Sequence, residues 1–212
     1  VRTYLLGSAF AGILHQRAMF PFHASSVQIN GKSILICGDS GDGKSTLAAE
    51  LIDRGHSFIS DDVSVITLDS NSRPIIHPGY PNFRLWKRSL RLLEKSEEGL
   101  ESVRKDINKF NLSVSKNIIH DSTSLAGLFF LDRRLKTSRT KLTEIEGSSR
   151  FNSLRLATFR KNLLNGHGKM KEHFGLCVKV SNECKMYKLL RNPLENTLAE
   201  LADLIEKKMT DE

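Results

Sequence analysis

The segment from Gly38 to Ser45 constrains the fold more than any other part of this sequence. It reads Gly-Asp-Ser-Gly-Asp-Gly-Lys-Ser and satisfies the phosphate-binding loop pattern G-x-x-x-x-G-K-[ST] without a mismatch. The preceding run, 33–37, is apolar and typical of a buried strand, and the following run, 46–55, has helical apolar spacing and ends in glycine. Because strand, loop and helix follow in the right order, the sequence predicts an α/β fold that binds a nucleoside triphosphate here.

The residue types in this loop match the chemistry of phosphate binding. Glycines let the main chain approach phosphate oxygens, and the loop N–H groups with the helix N-terminus form a positively polarised concavity. Lys44 is expected to reach the β- and γ-phosphates of ATP, and the Ser45 hydroxyl to bind Mg²⁺. The residues expected to contact the nucleotide are Gly38, Asp39, Ser40, Gly41, Asp42, Gly43, Lys44, Ser45 and Thr46.

Length and charge narrow the class of protein. A chain of 212 residues suits one α/β domain, which we assign to residues 1–212. The net charge of +8 favours anionic partners, and a nucleotide plus an acidic polypeptide accounts for it without nucleic acid, for which no motif is present.

Three widely spaced cysteines form neither a disulfide framework nor a zinc motif, and the apolar run 4–14 is too short to span a bilayer. We therefore expect a cytoplasmic protein that does not associate with membranes.

Hydrophobic patterns predict the remaining elements. Asn30-Gly31 joins two strand-like runs in a hairpin, and a strand ending at Ser60 is followed by two acids and another strand. Further strands are predicted at 63–68, 124–131, 174–180 and 186–190, with an edge strand within 133–150. Helices are predicted within 4–14 (alternatively a strand), at 83–93, at 151–164 and from Pro193 onward. The stretch 74–81 is predicted to be a loop, and 94–116 a solvated helix with a loop or a flap.

Asp61 and Asp62 are the candidate metal ligand and base. In phosphate-loop proteins an acid at the end of a neighbouring strand completes the magnesium shell, and a second acid can accept the proton of an incoming hydroxyl. Adjacent strand residues point to opposite faces, so both carboxylates can serve one site only if the chain turns here. The alternative is a surface Asp-Asp turn. His23 begins the strand that pairs with the loop strand. Because the chain contains seven histidines, composition alone favours a structural role for any one of them, His23 included.

Together these residues resemble the C-terminal catalytic domain of HPr kinase/phosphorylase, which phosphorylates a serine of the carrier protein HPr. The likeness comprises His23, the loop, Arg-Gly-His at 54–56 and the acidic pair, and is close over 23–65. It implies a P-loop kinase fold of the PEP carboxykinase-like type, with a mixed β-sheet flanked by helices. It also implies ATP and Mg²⁺ as cofactors, an active-site role for His23, and Asp61 and Asp62 as metal contact and base, with Asp62 preferred as the base.

The chain departs from that family at two places. Thr46 stands where the family has glutamate, and the region 77–86 lacks the family's glycine-rich signature, which bears on the reverse phosphorolysis and on HPr recognition. Pro-Gly-Tyr-Pro at 78–81 and Arg-Leu-Trp at 84–86 look more like HPr-kinase-related proteins of peptide biosynthesis clusters. Some of those proteins phosphorylate the C-terminal serine of a lasso-peptide precursor. The resemblance thus implies a serine kinase acting on a protein or peptide, possible homo-oligomers, and Arg84 and Arg88 as candidate substrate contacts, with Arg88 expected to hold the peptide.

Other functional classes share the loop. A GTPase needs Asn-Lys-x-Asp, and the nearest string, 108–111, lacks the aspartate. A small-molecule kinase would use the same loop with a different acceptor. A nucleotide-hydrolysing or ATP-sensing module would bind ATP without transferring its phosphate to another molecule.

Overall fold

The computed structural model describes residues 5–104, 106–132, 140–192 and 196–211. The strands are β1 (Phe20–Phe22), β2 (Ala24–Ile29), β3 (Lys32–Cys37), β4 (Ser57–Ser60), β5 (Ser64–Leu68), β6 (Pro74–His77), β7 (Asn82–Trp86), β8 (Ser102–Arg104), β9 (Ile107–Ser113), β10 (Thr123–Asp132), β11 (Lys141–Glu144) and β12 (Lys185–Leu190). The helices are α1 (Phe10–Gln16), α2 (Lys44–Asp53), α3 (Lys87–Leu92), α4 (Ser148–Ala157), α5 (Leu163–Gly166), α6 (Met170–Glu183) and α7 (Leu198–Asp211), with a π-helical turn, Leu5–Ala9, before α1.

A mixed sheet organises the described residues. Its strand order is β11-β12-β10-β3-β2-β4, in which β10 runs parallel to both β3 and β12 and the other pairs are antiparallel. The first residues of β10 also pair with β6, which brings in β5 and β1. A separate antiparallel sheet has the order β7-β9-β8. The predicted mixed sheet flanked by helices is confirmed.

The loop strand β3 is buried on both faces because helices cover both sides of the sheet. Ile34 and Ile36 pack in one core with α2 and α7, whereas Leu35 and Cys37 pack in a second core with α6. This alternation follows from the two-residue period of a strand. Buried on both sides, β3 and its parallel neighbour β10 form a rigid base from which the phosphate-binding loop leaves the sheet.

Predictions that rest on local patterns are confirmed. These are the hairpin with Asn30 and Gly31 at positive φ (49° and 80°), the strands on either side of the acidic pair, the central strand β10, the edge strand β11, the strand β12 and an N-terminal helix. The predicted helix 151–164 is present as two helices, α4 and α5. The proposed helix start at Pro193 lies outside the described residues, and α7 begins at Leu198. None of the helices in the described ranges is long and apolar enough to cross a membrane.

The prediction of a strand at 174–180 is wrong, because this segment lies within α6. Its buried side chains are His173, Leu176, Cys177 and Val180, which recur at helical spacing and face the sheet. Phe174 is 56% exposed. The apolar residues around the stripe made the run look like a strand, although only the helical positions are buried.

The predictions for 74–116 are also wrong in three places. A strand, β6, occupies part of the expected loop, and β8 and β9 occupy the stretch where a solvated helix was expected, while the alternative of a flap stays a prediction. The expected helix at 83–93 begins only at Lys87, because Phe83 and Leu85 are buried in alternation within β7, which pairs with β9. Arg84 therefore lies on a strand beside the acidic pair.

Candidate active site

The phosphate-binding loop connects β3 to α2 in a conformation that its glycines make possible. Gly43 directly precedes α2 with φ 99°, a left-handed geometry that side chains disfavour. At Gly38 a Cβ atom would lie 3.2 Å from both the Cβ atom and the carbonyl oxygen of Leu131 on β10. The loop therefore packs tightly against the end of the central strand.

Lys44 lies buried beneath this loop. Its Nζ atom donates hydrogen bonds to the carbonyl oxygens of Gly38 (3.0 Å) and Asp39 (2.9 Å). Asp42 accepts a hydrogen bond of 2.7 Å from the main-chain N–H of Asp39, which closes the loop on itself. Burial lowers the pKa of the Lys44 ammonium, against the opposing effect of nearby acids. A bound anion would therefore offset the cost of burying the Lys44 ammonium.

The chain turns at the acidic pair, as a shared site requires. Strand β4 ends at Ser60, and Asp62 has a left-handed main chain with φ 70°. Asp61 accepts hydrogen bonds from the Ser25 hydroxyl (2.6 Å) and from the main-chain N–H of Arg84 (3.1 Å), and the side chain of Ser45 lies near enough to help lower the pKa of its carboxyl group. Asp61 therefore faces the loop serine, and the alternative of a solvent-facing Asp-Asp turn is wrong for this residue.

The surroundings of Asp61 suit a cation. Burial raises the pKa of its carboxyl group and the charge of Asp62 adds to that rise, whereas the hydrogen bonds from Ser25 and Arg84 and the side chain of Ser45 oppose it. A desolvated carboxylate beside a serine hydroxyl offers the oxygen donors that Mg²⁺ prefers, and Mg²⁺ typically takes one or two protein carboxylates and completes its shell with phosphates and waters. Ser45 and Asp61 therefore fit the predicted magnesium site.

Asp62 faces a different set of partners. Its carboxylate forms an ion pair with Arg84 at 2.9 Å, and its main-chain carbonyl oxygen accepts a 3.0 Å hydrogen bond from His23 Nδ1. Because a carbonyl oxygen only accepts, Nδ1 carries the proton and Nε2 of the neutral ring is an acceptor. Burial, followed by the charge of Lys44, lowers the pKa of His23. The ring is therefore neutral at neutral pH.

Two connected cavities run from this centre. The inner cavity, about 80 Å³, is lined by the loop together with His23, Asp62, Arg84 and Lys109. The outer cavity, about 770 Å³, includes Arg88 on its wall. Residues common to both cavities are Gly41, Gly43, Thr46, Trp86 and Ser89. The outer volume lies in the range of small-molecule sites, whereas the inner one suits a phosphate group.

Some residues at the site were missed by the sequence reasoning. Ser25 lies two positions after His23 along the strand direction, so the alternation of a strand was a signal that could have found it. Ser89 accepts a 2.7 Å hydrogen bond from the Thr46 hydroxyl, and Lys109 lies 5.9 Å above the Trp86 ring. Both depend on contacts between distant segments, for which the sequence carried no local signal.

Arg54 and His56, part of the resemblance, lie away from this centre. Arg54 pairs with Asp203 (2.6 Å) and Glu206 (2.7 Å), and His56 Nε2 lies 2.7 Å from Glu206. These contacts connect the end of α2 to α7, so this motif anchors the C-terminal helix.

The fold and the site define a phosphate-loop protein with a strand-end acidic pair. Residues 16–77 match the family model described as HPr Serine kinase C-terminal domain. The resemblance inferred from the sequence is confirmed for that part of the chain, which contains the loop, His23 and both acids.

Two relatives and one solved structure illustrate the extent of the likeness. The HPr kinase/phosphorylase of Chlorobium limicola is 45% identical over 53 residues, which make up 25% of this chain and 15% of that protein. The HPr kinase/phosphorylase of Treponema pallidum (strain Nichols) is 49% identical over 51 residues, 24% of this chain and 16% of that protein. The structure of the Hpr(Ser) kinase/phosphatase from Coxiella burnetii is similar with a TM-score of 0.46 and 16% identity, covering 90% of this chain and 97% of that one.

Proposed function

We propose that this protein transfers the γ-phosphoryl group of ATP to a serine hydroxyl of a protein or peptide, with Mg²⁺ as cofactor. One observation carries the proposal: hydrogen bonds from the Ser25 hydroxyl and the Arg84 main chain hold Asp61 on the side of the loop serine Ser45, while its neighbour Asp62 lines the inner cavity with Lys44. The two acids are thereby separated into a metal-side carboxylate and a cavity-side carboxylate. A protein that only bound nucleotide would need no second carboxylate at this position.

The two cavities suggest how ATP is oriented in the site. The nucleoside fits the outer cavity, and the phosphates enter the inner one past Thr46 and the loop. Lys44 and the loop N–H groups then face the terminal phosphates and stabilise the negative charge that develops during transfer. Ser45 and Asp61 are the residues that would hold Mg²⁺, which when bound neutralises part of the phosphate charge.

Asp62 is the proposed base. The serine oxygen forms a bond to the γ-phosphorus, the bond from phosphorus to the bridging oxygen breaks, and ADP leaves. Asp62 accepts the hydroxyl proton, and its ion pair with Arg84 fixes the orientation of its carboxylate. His23 holds the main chain of Asp62 in its left-handed turn by donating to the carbonyl oxygen. Phosphoryl transfer depends largely on such positioning, so these contacts are central to the proposal.

The acceptor is proposed from the sequence more than from the site. The relatives are named for HPr, yet the likeness to them is confined to a segment that holds the phosphate-binding and acidic residues. The chain differs from that family at Thr46 and in 77–86, where it looks more like kinases of peptide biosynthesis clusters. We therefore propose a peptide serine as the acceptor, with the C-terminal serine of a lasso-peptide precursor as the specific candidate, and a cytoplasmic location, where ATP is available.

Transfer from labelled ATP tests the proposal. Purified protein is incubated with γ-³²P-ATP, Mg²⁺ and serine-containing peptides, and label in ADP, free phosphate and peptide is measured. We expect Lys44→Ala and Asp62→Asn each to abolish peptide labelling, whereas Arg73→Ala, on an exposed turn, leaves it unchanged. Normal transfer by an Asp61→Ala/Asp62→Ala double variant would show that the base assignment is wrong. Release of free phosphate without peptide labelling would favour an ATP-hydrolysing module, and labelling of a small metabolite would favour a small-molecule kinase.

A further inference from the structure

The proposed orientation of the triphosphate determines from which side the acceptor serine reaches the γ-phosphate. The residues common to both cavities lie where the phosphates enter, and His23 and Asp62 line only the inner cavity. In an in-line displacement the attacking oxygen lies opposite the leaving bridging oxygen. The acceptor therefore approaches past His23 and Asp62 and not through the outer cavity.

A short turn after α4 is fixed beside His23. The main-chain N–H of His23 donates a 2.8 Å hydrogen bond to the carbonyl oxygen of Ala157, and Phe159 N–H donates one of 2.9 Å to Pro21. The Phe159 ring lies 5.9 Å from the His23 ring, measured between centroids. These contacts hold residues 157–159 against the chain that leads into the site.

Arg160 extends this contact outward. Its guanidinium lies 5.4 Å from the centroid of the Phe159 ring, a cation–π distance. Its main chain has φ 52°, and its carbonyl oxygen accepts a 2.9 Å hydrogen bond from Leu163 N–H. Arg160 and Lys161 are both exposed, and none of the ion pairs found within the described ranges includes either of them. An exposed positive charge beside the Phe159 ring therefore lies near the acceptor side of the site.

We propose that Arg160 is a specificity residue that binds a carboxylate of the acceptor chain, close in sequence to the serine that receives the phosphate. The proposal rests on the proposed kinase function. An arginine stacked on an aromatic ring is suited to a carboxylate, because its planar guanidinium keeps its N–H groups free to donate in a fork. The carboxylate belongs either to an acidic side chain or to the C-terminus of the acceptor.

Three eight-residue peptides, each with a single serine, separate these sources. One has glutamates beside the serine and an amidated C-terminus, one has glutamines and ends in serine with a free carboxylate, and the neutral one has glutamines and an amidated C-terminus. We expect one of the two anionic peptides to have a KM about tenfold lower than the neutral one, as for a charged hydrogen bond that is partly exposed. Equal KM values for all three peptides would overturn the proposal.

Substitutions in the protein test whether Arg160 is the residue responsible for the preference for an anionic peptide. Arg160→Ala is expected to raise the KM for the preferred peptide about tenfold and to remove its advantage over the neutral peptide, whereas the KM for ATP is affected much less. Arg160→Lys is expected to restore part of the preference, because it keeps the charge. The matched control is Arg155→Ala, an exposed arginine on α4, because the cation over the Phe159 ring is that of Arg160.

Two further outcomes separate this proposal from its alternatives. If Arg88→Ala, in the outer cavity, removes the preference for the anionic peptide and Arg160→Ala does not, the acceptor lies in the outer cavity and the proposal is wrong. If wild-type protein hydrolyses ATP but labels none of the peptides under conditions of saturating ATP, the kinase function itself is overturned, and this inference with it. Loss of the preference in Arg160→Ala, with the preference kept in Arg88→Ala and Arg155→Ala, supports both the kinase function and the role of Arg160.

Discussion

His23 Nδ1 lies 3.0 Å from the main-chain carbonyl oxygen of Asp62, and this hydrogen bond joins the start of the hairpin to the turn that carries the proposed base. The contact is to the main chain, while the nearest carboxylate oxygen of Asp62 lies at 3.8 Å. His23 therefore positions the left-handed turn at Asp62 without neutralising its carboxylate. His23 is thus part of the site, although no local sequence pattern around it indicated this role.

The role of His23 predicts a difference between two substitutions. His23→Ala removes the donor, so we expect kcat to fall roughly 10- to 100-fold, in the range of a lost hydrogen bond at a partly buried site, with little change in affinity for ATP. His23→Asn places an amide N–H near the position of Nδ1 and is expected to recover part of the loss. Steady-state kinetics with labelled ATP and peptide measure both variants, and equal losses in the two would contradict a positioning role.

Ser25 predicts a shift in the pH dependence of transfer. Its hydroxyl donates a 2.6 Å hydrogen bond to Asp61, which favours the charged carboxylate and opposes the rise in its pKa caused by burial. Ser25→Ala therefore raises the pKa of Asp61 further. As pH falls, the variant should lose activity at a higher pH than wild type does, and it should need roughly tenfold more Mg²⁺ for half-maximal rate.

A matched control exists for this experiment. Ser33 is another buried serine of the same hairpin, and its hydroxyl lies 2.6 Å from that of Thr123, away from the acidic pair. Ser33→Ala is expected to leave the pH profile and the Mg²⁺ requirement unchanged. If both serine variants shift the profile equally, the effect comes from altered packing of the sheet and not from Asp61.

The side chain and the main chain of Arg84 contact different acids, so we expect a side-chain substitution to affect only one of them. The guanidinium pairs with Asp62, whereas the main-chain N–H donates to Asp61 and is retained in any substitution except proline. Arg84→Ala should therefore lower kcat, by about 100-fold if the ion pair orients the base, and should leave the Mg²⁺ requirement close to that of wild type. A rise in the Mg²⁺ requirement equal to that of Ser25→Ala would mean that the substitution has moved the β7 main chain.

The parts of the site that the sequence predicted correctly are those defined by contiguous residues. The loop is specified by its own glycines, Lys44 and Ser45, and the acidic pair follows its strand directly. In these segments the motif and the local hydrophobic period indicate the same structure. The pairing of β2 with β3 is likewise specified by Asn30-Gly31, which is suited to a two-residue hairpin turn.

The remaining parts depend on contacts between segments far apart in sequence. The run 83–93 has helical apolar spacing through Leu85, Trp86, Leu90 and Leu93. Phe83 and Leu85 are nevertheless buried in a strand, because β9 supplies a pairing partner. A short apolar run satisfies both periods, and only the partner decides between them. Arg84 could not be placed beside Asp62 before that strand was known, and the same holds for Phe159 beside His23.

His173 predicts how the stability of the protein depends on pH. Its ring is 3% exposed, lies 2.8 Å from the Thr158 hydroxyl and packs against Phe20, with Cys177 and His15 as the nearby titratable groups. Burial, with a smaller effect of His15, lowers its pKa from 6.5 to about 4. Between these values the unfolded chain binds the proton and the folded protein does not, so stability falls as pH drops from about 6.5 to about 4.

The loss attributable to His173 should approach about 3 kcal/mol at the acid end of that window, from 1.36 kcal/mol per pKa unit. His173→Phe keeps a ring in the core but cannot titrate, so its unfolding free energy should depend less on pH, although it is lower than wild type near neutral pH because Thr158 loses a partner. Urea denaturation at several values between pH 4.5 and 7.5 measures the difference, with His120→Phe as the exposed control. A His173→Phe protein whose stability declines with acid as steeply as wild type would mean that other groups, such as His15, carry the dependence.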